Sequence, residues 1–556
     1  MNNKGFLDIN LKQISQYNPD LKYKLLRCEM QNANNNISMV KTILNEDNLI
    51  YNKTYIHNNY GAEAEAKEIV ENIENNYSSI IIIYGIGYGY LFKETVKKAK
   101  GTVLLYEPDI NILYKTLKNN DFSQLLSQKN VFIFSDYKLL KKEYIKNFCY
   151  KSNTKIIFLP SYNDLFKQEI NNFAKDINLT MHACIATNNF IKNNMFSSIK
   201  SVCNNIDLLV NELIPTCFQN KYNGQTAIII TDLKSDKNIE KIYKYKDNTV
   251  MFADAQSLRT LIDNNIIPDF AGISVTENNL SQFEDINISD INAIIEPLSD
   301  RSIHQLNFKN IFSYPSHNRL PNIIWTTLSN INATPYCSYE KITYTLLKMV
   351  QILGFNDIIV INDNISSEIS YLEDFKQNHQ EINLYNTSIN DTKTEELFKE
   401  LVKHKPIVDK NYIKQQSNID IKNIVKNISQ EIINLEEIIN FLKSGLSLIA
   451  NLDKELHNKK NYLDETCLNY FKQLLMIYVD LKEVYAPKNR IFLYLQQSYS
   501  LDLEYELKEN NQTNSIPKVY DLLKIYINSL ISNITEIKEI LNIKAGKLNE
   551  MLNTKG

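Results

Sequence analysis

The stretch SSIIIIYGIGYGYLFKETVKKAKGTVLLYEPD, residues 78–109, indicates the fold of the first part of the chain. Four consecutive isoleucines, Ile80–Ile83, are typical of a strand that is buried on both faces of a parallel sheet. Three glycines follow at once, then an amphipathic helix, and then a second apolar strand over Thr102–Tyr106. A strand, a glycine-rich turn, a helix and a strand in this order predict a βαβ unit.

The glycine turn has two interpretations. Glycines let the backbone approach a dinucleotide or S-adenosylmethionine closely, and Glu107 at the end of the second strand would then bind ribose hydroxyls. Alternatively, the glycines only let the helix and the strand pack closely. Because GIGYG lacks the third glycine of the dinucleotide fingerprint, we expect close packing and no S-adenosylmethionine.

A second α/β unit is predicted from Gln225 onwards. The segment TAIIITD, residues 226–232, begins it as a buried strand. Asp254 follows the next predicted strand, at the carboxyl end where ligands bind to open α/β sheets. The remaining apolar segments predict strands at residues 271–275, 292–296, 310–313 and 357–361.

Two parts of the chain lack strand signals. Residues 166–222 have long helical patterns and predict a connector. In the last part, apolar residues recur at alternating spacings of four and three, which predicts a helical bundle or, alternatively, an intermolecular coiled coil. In the final helix this stripe consists of Leu523, Ile527, Leu530, Ile534, Ile537 and Leu541.

The predicted fold class is therefore α/β, with two Rossmann-like parallel-sheet units followed by an all-helical C-terminal domain. The predicted domains are an N-terminal Rossmann-like domain with its lead-in at residues 1–165, the helical connector at 166–222, a central α/β domain at 223–395 and the helical domain at 396–556.

Composition excludes several classes of protein. The formal net charge is −3 and lysines are spread over the chain, so we expect no nucleic-acid partner, which would need a concentrated basic face. The seven cysteines form no CxxC pair and there is no DxD-like pair, so we expect no metal. No run reaches the roughly 18 apolar residues of a membrane span, and the N-terminus has no signal-peptide core, so we expect a cytoplasmic protein.

The order of these parts and three motifs resemble the motility accessory factor (Maf) family, which glycosylates flagellin. Residues 80–109 resemble the family's N-terminal unit, including Tyr90 after the last glycine and the Glu-Pro-Asp at the end. TAIIITDLKSDKNI, residues 226–239, resembles its central strand, loop and helix start. MFADAQSLRTLIDNNIIPDF, residues 251–270, follows its pattern of a strand, an acid, a helix and a Pro-Asp pair.

The resemblance implies a reaction and a set of partners. The central domain would be similar to hydroxymethylpterin pyrophosphokinase (MptE-like) and sialyltransferase-like domains. It would transfer a nonulosonic acid, a sialic-acid-like sugar such as pseudaminic or legionaminic acid, to Ser or Thr of flagellin. The donor substrate would be the CMP-activated sugar, with no tightly bound cofactor.

The implied reaction needs a loop that binds the donor, a general base and a group that stabilises the leaving CMP, and these needs suggest candidate site residues. The donor-binding candidates are Thr231, Asp232, Ser235, Asp254, Glu277 and Ser338. The catalytic candidates are His317, His379 and Asp363, with His304 as a further histidine. Each has a structural alternative: Asp254 as support, Ser338 as a helix N-cap, Asp269 as a turn residue, and each histidine as an ordinary packed side chain.

The sequence also departs from the family pattern. The glycine and proline of the family's donor loop fall on Leu233 and Lys234. Glycine permits close backbone approach to a nucleotide, whereas leucine does not; the lysine could instead supply charge to a phosphate. A non-catalytic relative that binds flagellin or another partner through its helical tail is therefore the alternative. A methyltransferase that uses the GIGYG turn would leave the second α/β unit unexplained.

Overall fold

The computed structural model describes residues 4–30, 36–73, 76–233, 236–273, 280–314, 321–331, 342–362, 383–386, 419–459, 461–509 and 516–555. The chain divides into two compact units. Unit 1 comprises Met1–Asn193, Asn451–Lys472 and Gln497–Tyr526, and unit 2 comprises Asn194–Ala450, Gln473–Gln496 and Ile527–Gly556.

The strands of unit 1 are β1 (Ile37–Lys41), β2 (Asp47–Tyr51), β3 (Thr54–Tyr55), β4 (Ile80–Tyr84), β5 (Thr102–Tyr106), β6 (Val131–Phe134) and β7 (Thr154–Phe158). The last four form a parallel sheet in the order β6-β5-β4-β7, and the first three form a small antiparallel sheet. Every residue of β4 is buried, as its run of isoleucines predicted, because helices cover both faces of a parallel sheet.

The helices that begin in unit 1 are α1 (Lys4–Ile14), α2 (Pro19–Met30), α3 (Ala62–Glu71), α4 (Tyr90–Lys98), α5 (Ile110–Asn119), α6 (Ser123–Leu126), α7 (Tyr137–Asn147), α8 (Pro160–Leu165) and α9 (Lys167–Leu209). Strand β4, helix α4 and strand β5 are the βαβ unit predicted from the sequence. In it, Ile80 of β4 lies opposite Thr102 of β5 in parallel register.

The strands of unit 2 are β8 (Thr226–Thr231), β9 (Val250–Asp254), β10 (Phe270–Gly272), β11 (Asn292–Ile295), β12 (Asn310–Ser313), β13 (Asp357–Asn362) and β14 (Asn383–Asn386). They form one parallel sheet in the order β12-β11-β10-β9-β8-β13-β14. The chain proceeds outwards from β8 to β12 and then resumes on the other side of β8. The strand order therefore reverses between β8 and β13, which is where ligands bind to sheets of this kind.

The helices between these strands are α10 (Asp236–Tyr245), α11 (Ala255–Asp263), α12 (Asn322–Ser329) and α13 (Ile342–Leu353). Alternate residues of β8 enter two different cores. Ala227 and Ile229 belong to the core that contains α13, whereas Ile228 and Ile230 belong to the core that contains α11. Both faces of the sheet are thus covered, as the apolar strand sequence predicted.

The tail consists of α14 (Ile421–Lys459), α15 (Glu465–Asp480), α16 (Arg490–Glu509) and α17 (Ile516–Lys555). The described residues contain no strand after Asn386, so the predicted change to an all-helical region is confirmed. All six stripe positions from Leu523 to Leu541 are buried within this single chain, which favours the bundle interpretation over an intermolecular coiled coil. None of the described helices is both long enough and apolar enough to cross a membrane.

Candidate functional site

The glycine turn of unit 1, Gly85–Gly89, is occupied by the protein's own side chains. Its inner N–H groups make three hydrogen bonds: Ile86 to Glu107 Oε2 at 2.8 Å, Gly87 to Tyr162 Oη at 3.2 Å, and Tyr88 to His57 Nε2 at 2.9 Å. A carboxylate, a phenol and an imidazole therefore take the donors that a ligand phosphate would use in a nucleotide-binding turn.

The space above the glycines is filled as well. Gly85, Gly87 and Gly89 all have positive φ, which favours glycine. A methyl group on Gly85 would collide with the ring of Tyr162, and one on Gly89 would collide with the ring of Phe122. The close approach that these glycines permit is thus made by aromatic side chains of the same unit, in agreement with the close-packing interpretation.

Glu107, the candidate ribose ligand of this turn, is fully buried. Besides the Ile86 N–H, it accepts the Tyr162 hydroxyl at 2.6 Å and the Asp109 N–H at 3.0 Å. Burial raises the pKa of Glu107 to about 7, although these hydrogen bonds lower it. Its carboxylate stabilises the turn from inside.

Polar side chains meet in unit 2 where the strand order reverses. Strand β8 ends at Thr231 and the neighbouring strand β13 ends at Asn362, directly opposite. The Thr231 hydroxyl oxygen accepts from Asn362 Nδ2 at 3.0 Å and from the Thr343 hydroxyl at 3.2 Å. Since both of its lone pairs are engaged, Thr231 can act towards a ligand only as a donor. All three residues are buried and form the floor of the carboxyl edge.

Asp254 links the loop after β8 to the first turn of α11 through hydrogen bonds. One of its oxygens accepts the Ser257 N–H at 2.8 Å and so caps α11, and the other accepts the Asp232 N–H at 3.0 Å. Burial of Asp254 raises its pKa. Because both oxygens already hold backbone donors, the geometry favours structural support over direct nucleotide binding, the two roles that the sequence left open.

We expect Asp254→Asn to destabilise the protein by about 1–3 kcal/mol, because an amide can keep the cap but turns its NH₂ towards the second backbone donor. Urea unfolding of the full chain measures this loss. Asp136→Asn is the matched control, since Asp136 caps α7 with a single oxygen and asparagine can replace it. Equal losses of stability in the two variants would show that the hydrogen bond from the Asp232 N–H to Asp254 does not stabilise the fold.

Asp232 is the half-buried member of the predicted donor loop. Its φ of +52° lies in the left-handed region that aspartate tolerates. The next residue, Leu233, stands at the family's glycine position; it is 5% exposed and belongs to the apolar core, while its N–H donates to Ser257 Oγ at 3.1 Å. The leucine therefore anchors the loop in the core, where glycine would leave room for a ligand.

Thr231, Asp232 and Asp254 thus lie together at the predicted edge of the sheet. The other candidates lie outside the described residues: Ser235, Glu277, His317, Ser338, Asp363 and His379. Asp269 lies at the opposite edge, where it accepts the Met251 N–H at 2.9 Å, as its alternative role as a turn residue implied. His304 is buried, with Nδ1 2.6 Å from Glu212 Oε1.

Sequence reasoning missed the partners of Thr231. Asn362 directly follows the strand predicted at residues 357–361 and is the last residue of that strand in the structure. A polar residue at the end of a buried strand beside the reversal point was the available signal. Thr343 lies in an amphipathic helix, where one hydroxyl among apolar residues gives no such signal.

Comparison with known proteins shows a similarity in fold that extends over the whole chain. No protein-family model matches the chain, and no curated protein matches its sequence. Among solved structures, the Maf glycosyltransferase from Magnetospirillum magneticum AMB-1 is similar, with a TM-score of 0.61 and 10% sequence identity over 99% of this chain and 100% of that chain. The resemblance read from the motifs is thereby confirmed at the level of the fold, from one end of the chain to the other.

Proposed function

We propose that this chain, which shares the fold of a Maf glycosyltransferase along its length, is itself a glycosyltransferase. In this proposal it transfers a nonulosonic acid from a CMP-activated donor to Ser or Thr hydroxyls of flagellin. The whole-chain similarity in fold is the observation that carries the proposal. The polar floor at the reversal point of the second sheet supports it.

The carboxyl edge of the second sheet is the proposed donor site. The Thr231 hydroxyl offers a proton at the floor of the edge, and the half-buried Asp232 carboxylate suits ribose hydroxyls. In the reaction, the acceptor hydroxyl oxygen bonds to the anomeric carbon of the sugar. The bond from that carbon to the phosphate oxygen breaks, CMP leaves with the electron pair, and a base takes the hydroxyl proton.

One observation favours a second function. The backbone N–H groups of Asp232 and Leu233 are engaged by Asp254 and Ser257, so these two donors are not offered to a phosphate. A chain that has lost transfer would still present its helical tail to flagellin or another partner. Binding without transfer is therefore the alternative function.

Co-expression with flagellin and a nonulosonic-acid pathway, read by intact mass, separates the two functions. Transfer predicts flagellin heavier by whole numbers of sugar residues only when this chain is present. Flagellin of unchanged mass that co-purifies with the chain would support the non-catalytic alternative. Unchanged mass without co-purification would contradict both.

A further inference from the structure

Buried polar atoms without partners gather near the carboxyl ends of β11 and β12. Three side-chain oxygens there are buried and make no hydrogen bond to any described residue: Ser299 Oγ, Ser313 Oγ and Asn322 Oδ1. Buried polar groups in folded proteins are nearly always satisfied by protein, ordered water or ligand. These three oxygens are therefore available for hydrogen bonds with ordered water or with a bound ligand.

A carboxylate stands among these atoms. Glu296 directly follows β11, and its half-buried side chain accepts from Asn322 Nδ2 at 3.1 Å. Asn322 is the first residue of α12 and is 0% exposed, so its amide cannot swing away. Ser313 ends β12 and lies opposite Ile295, the last residue of β11. The carboxylate and the unsatisfied oxygens thus share one sheet edge.

The loop that carries Glu296 is fixed by side chains of α9 and α17. Asn205 Nδ2 donates to the carbonyls of Pro297 at 3.0 Å and Ser299 at 2.8 Å. Arg301 forms a two-pronged ion pair with Asp207 at 2.8 and 2.9 Å, and Lys544 donates to the same carboxylate at 2.7 Å. A carboxylate on such a loop is held in place before any substrate binds.

The acidic member of this clamp, Asp207, is held in its charged form. Burial alone would raise the pKa of Asp207, but Arg301 and Lys544 hold it well below its usual range. The Asp207 carboxylate therefore stays ionised across the pH range in which a glutamate or a histidine would change charge.

We propose that Glu296 is the general base that takes the proton of the acceptor hydroxyl and that Asn322 positions it. The proposal rests on the proposed function. Three strand spacings of ~4.8 Å separate β8 from β11, or about 14 Å along the edge. A donor whose nucleotide lies at β8 would extend its sugar towards β11. There the hydroxyl oxygen bonds to the anomeric carbon, its proton passes to a Glu296 oxygen, and CMP departs with the electron pair of the broken bond.

Glu296→Gln in the full chain tests the assignment, because glutamine can still accept from Asn322 but cannot take a proton. We expect kcat for transfer to flagellin to fall about 100-fold or more, with CMP affinity and thermal stability close to wild type. The fall in rate at acidic pH, which protonation of the base would cause in the wild type, should be absent from this variant. Asp300→Asn is the control, since the exposed Asp300 side chain accepts hydrogen bonds only from Ser302 in the described structure. This variant should transfer at the wild-type rate.

Asn322→Ala separates positioning from chemistry. It should lower kcat about tenfold while leaving the shape of the pH–rate profile unchanged, since the base remains but loses its hydrogen bond from Asn322. A Glu296→Gln variant that keeps its kcat and its fall in rate at acidic pH would overturn the proposal. Wild-type chain that neither binds CMP nor modifies flagellin would instead contradict the proposed function itself.

If Glu296→Gln does not fold, Glu296→Asp replaces it. A general base shortened by one methylene should lose about tenfold or more in kcat and keep the fall in rate at acidic pH, because the carboxylate recedes from the hydroxyl. An unchanged kcat in this variant would mean that Glu296 serves only to hold α12.

Discussion

Replacing Gly85 by alanine is expected to lower the free energy of unfolding of unit 1 by about 4 kcal/mol. The residue has φ of +89°, a conformation that costs about 1–2 kcal/mol with a side chain. The new methyl group also collides with the ring of Tyr162. That ring is 0% exposed and held through its hydroxyl by Glu107, so relief requires further strain of about 1–3 kcal/mol.

Gly224→Ala is the matched control for this experiment. Gly224 also has positive φ, +79°, but a methyl group there meets no atom within 4 Å, so only the backbone cost of about 1–2 kcal/mol applies. Urea unfolding followed by circular dichroism measures both losses, and hydrogen exchange of the β4 amides follows the loss in unit 1. Equal losses would show that Tyr162 does not occupy the turn as tightly as the structure indicates.

Raising the pH from 5 to 8 is expected to lower the stability of unit 1 by up to about 3 kcal/mol through Glu107. Burial raises the pKa of Glu107 from its ordinary value of 4.5 to about 7 in the fold. Between these values the folded state holds a proton that the unfolded state has released, so stability falls as the pH rises and levels off above about 7. A shift of this size corresponds to about 1.4 kcal/mol per pKa unit.

Glu107→Gln tests this dependence. Glutamine does not titrate, so the part of the pH slope due to Glu107 should vanish, although the variant is less stable at every pH because an NH₂ group faces a backbone donor. Glu431 of unit 2, whose pKa burial also raises to about 7, should give both proteins a common residual slope of the same sign. Identical slopes in the two proteins would contradict the buried, protonatable state of Glu107.

The strands of the two sheets could be predicted because each is a short run of apolar, mostly β-branched residues. The prediction for β5 matches its bounds, Thr102–Tyr106, and the isoleucines of β4 are buried on both faces. The stripe of α17 was visible because its spacing repeats over several turns. Local pattern suffices where burial itself dictates the residue types.

The contents of the glycine turn could not be predicted, because its partners come from distant parts of the chain. His57 lies 31 residues before Tyr88, and Tyr162 lies 75 residues after Gly87. A glycine at positive φ has the same sequence signature whether a ligand or an aromatic ring approaches it. Only the packed structure distinguishes the two.

At the candidate site, too, some features could be predicted from local sequence and others could not. Asp232 and Asp254 could be predicted as site candidates because each lies at the carboxyl end of a predicted strand. That both Asp254 oxygens accept backbone hydrogen bonds could not be predicted, because one of the donors belongs to the loop after a different strand. The pair of Glu296 and Asn322 spans 26 residues and has no spacing that sequence periodicity reports. Such pairs arise from sheet order, which local patterns do not encode.

Titration of CMP into the purified full chain by calorimetry tests most directly whether the carboxyl edge of the second sheet holds the donor. We predict that the wild type binds CMP and that Asp232→Asn weakens binding about tenfold or more, since a charge-assisted hydrogen bond to the ribose is lost. Asp136→Asn, which alters an acid that caps a helix after a strand of the first sheet, should bind like the wild type. Absence of binding by the wild type, or a loss in Asp136→Asn and none in Asp232→Asn, would contradict the placement of the site.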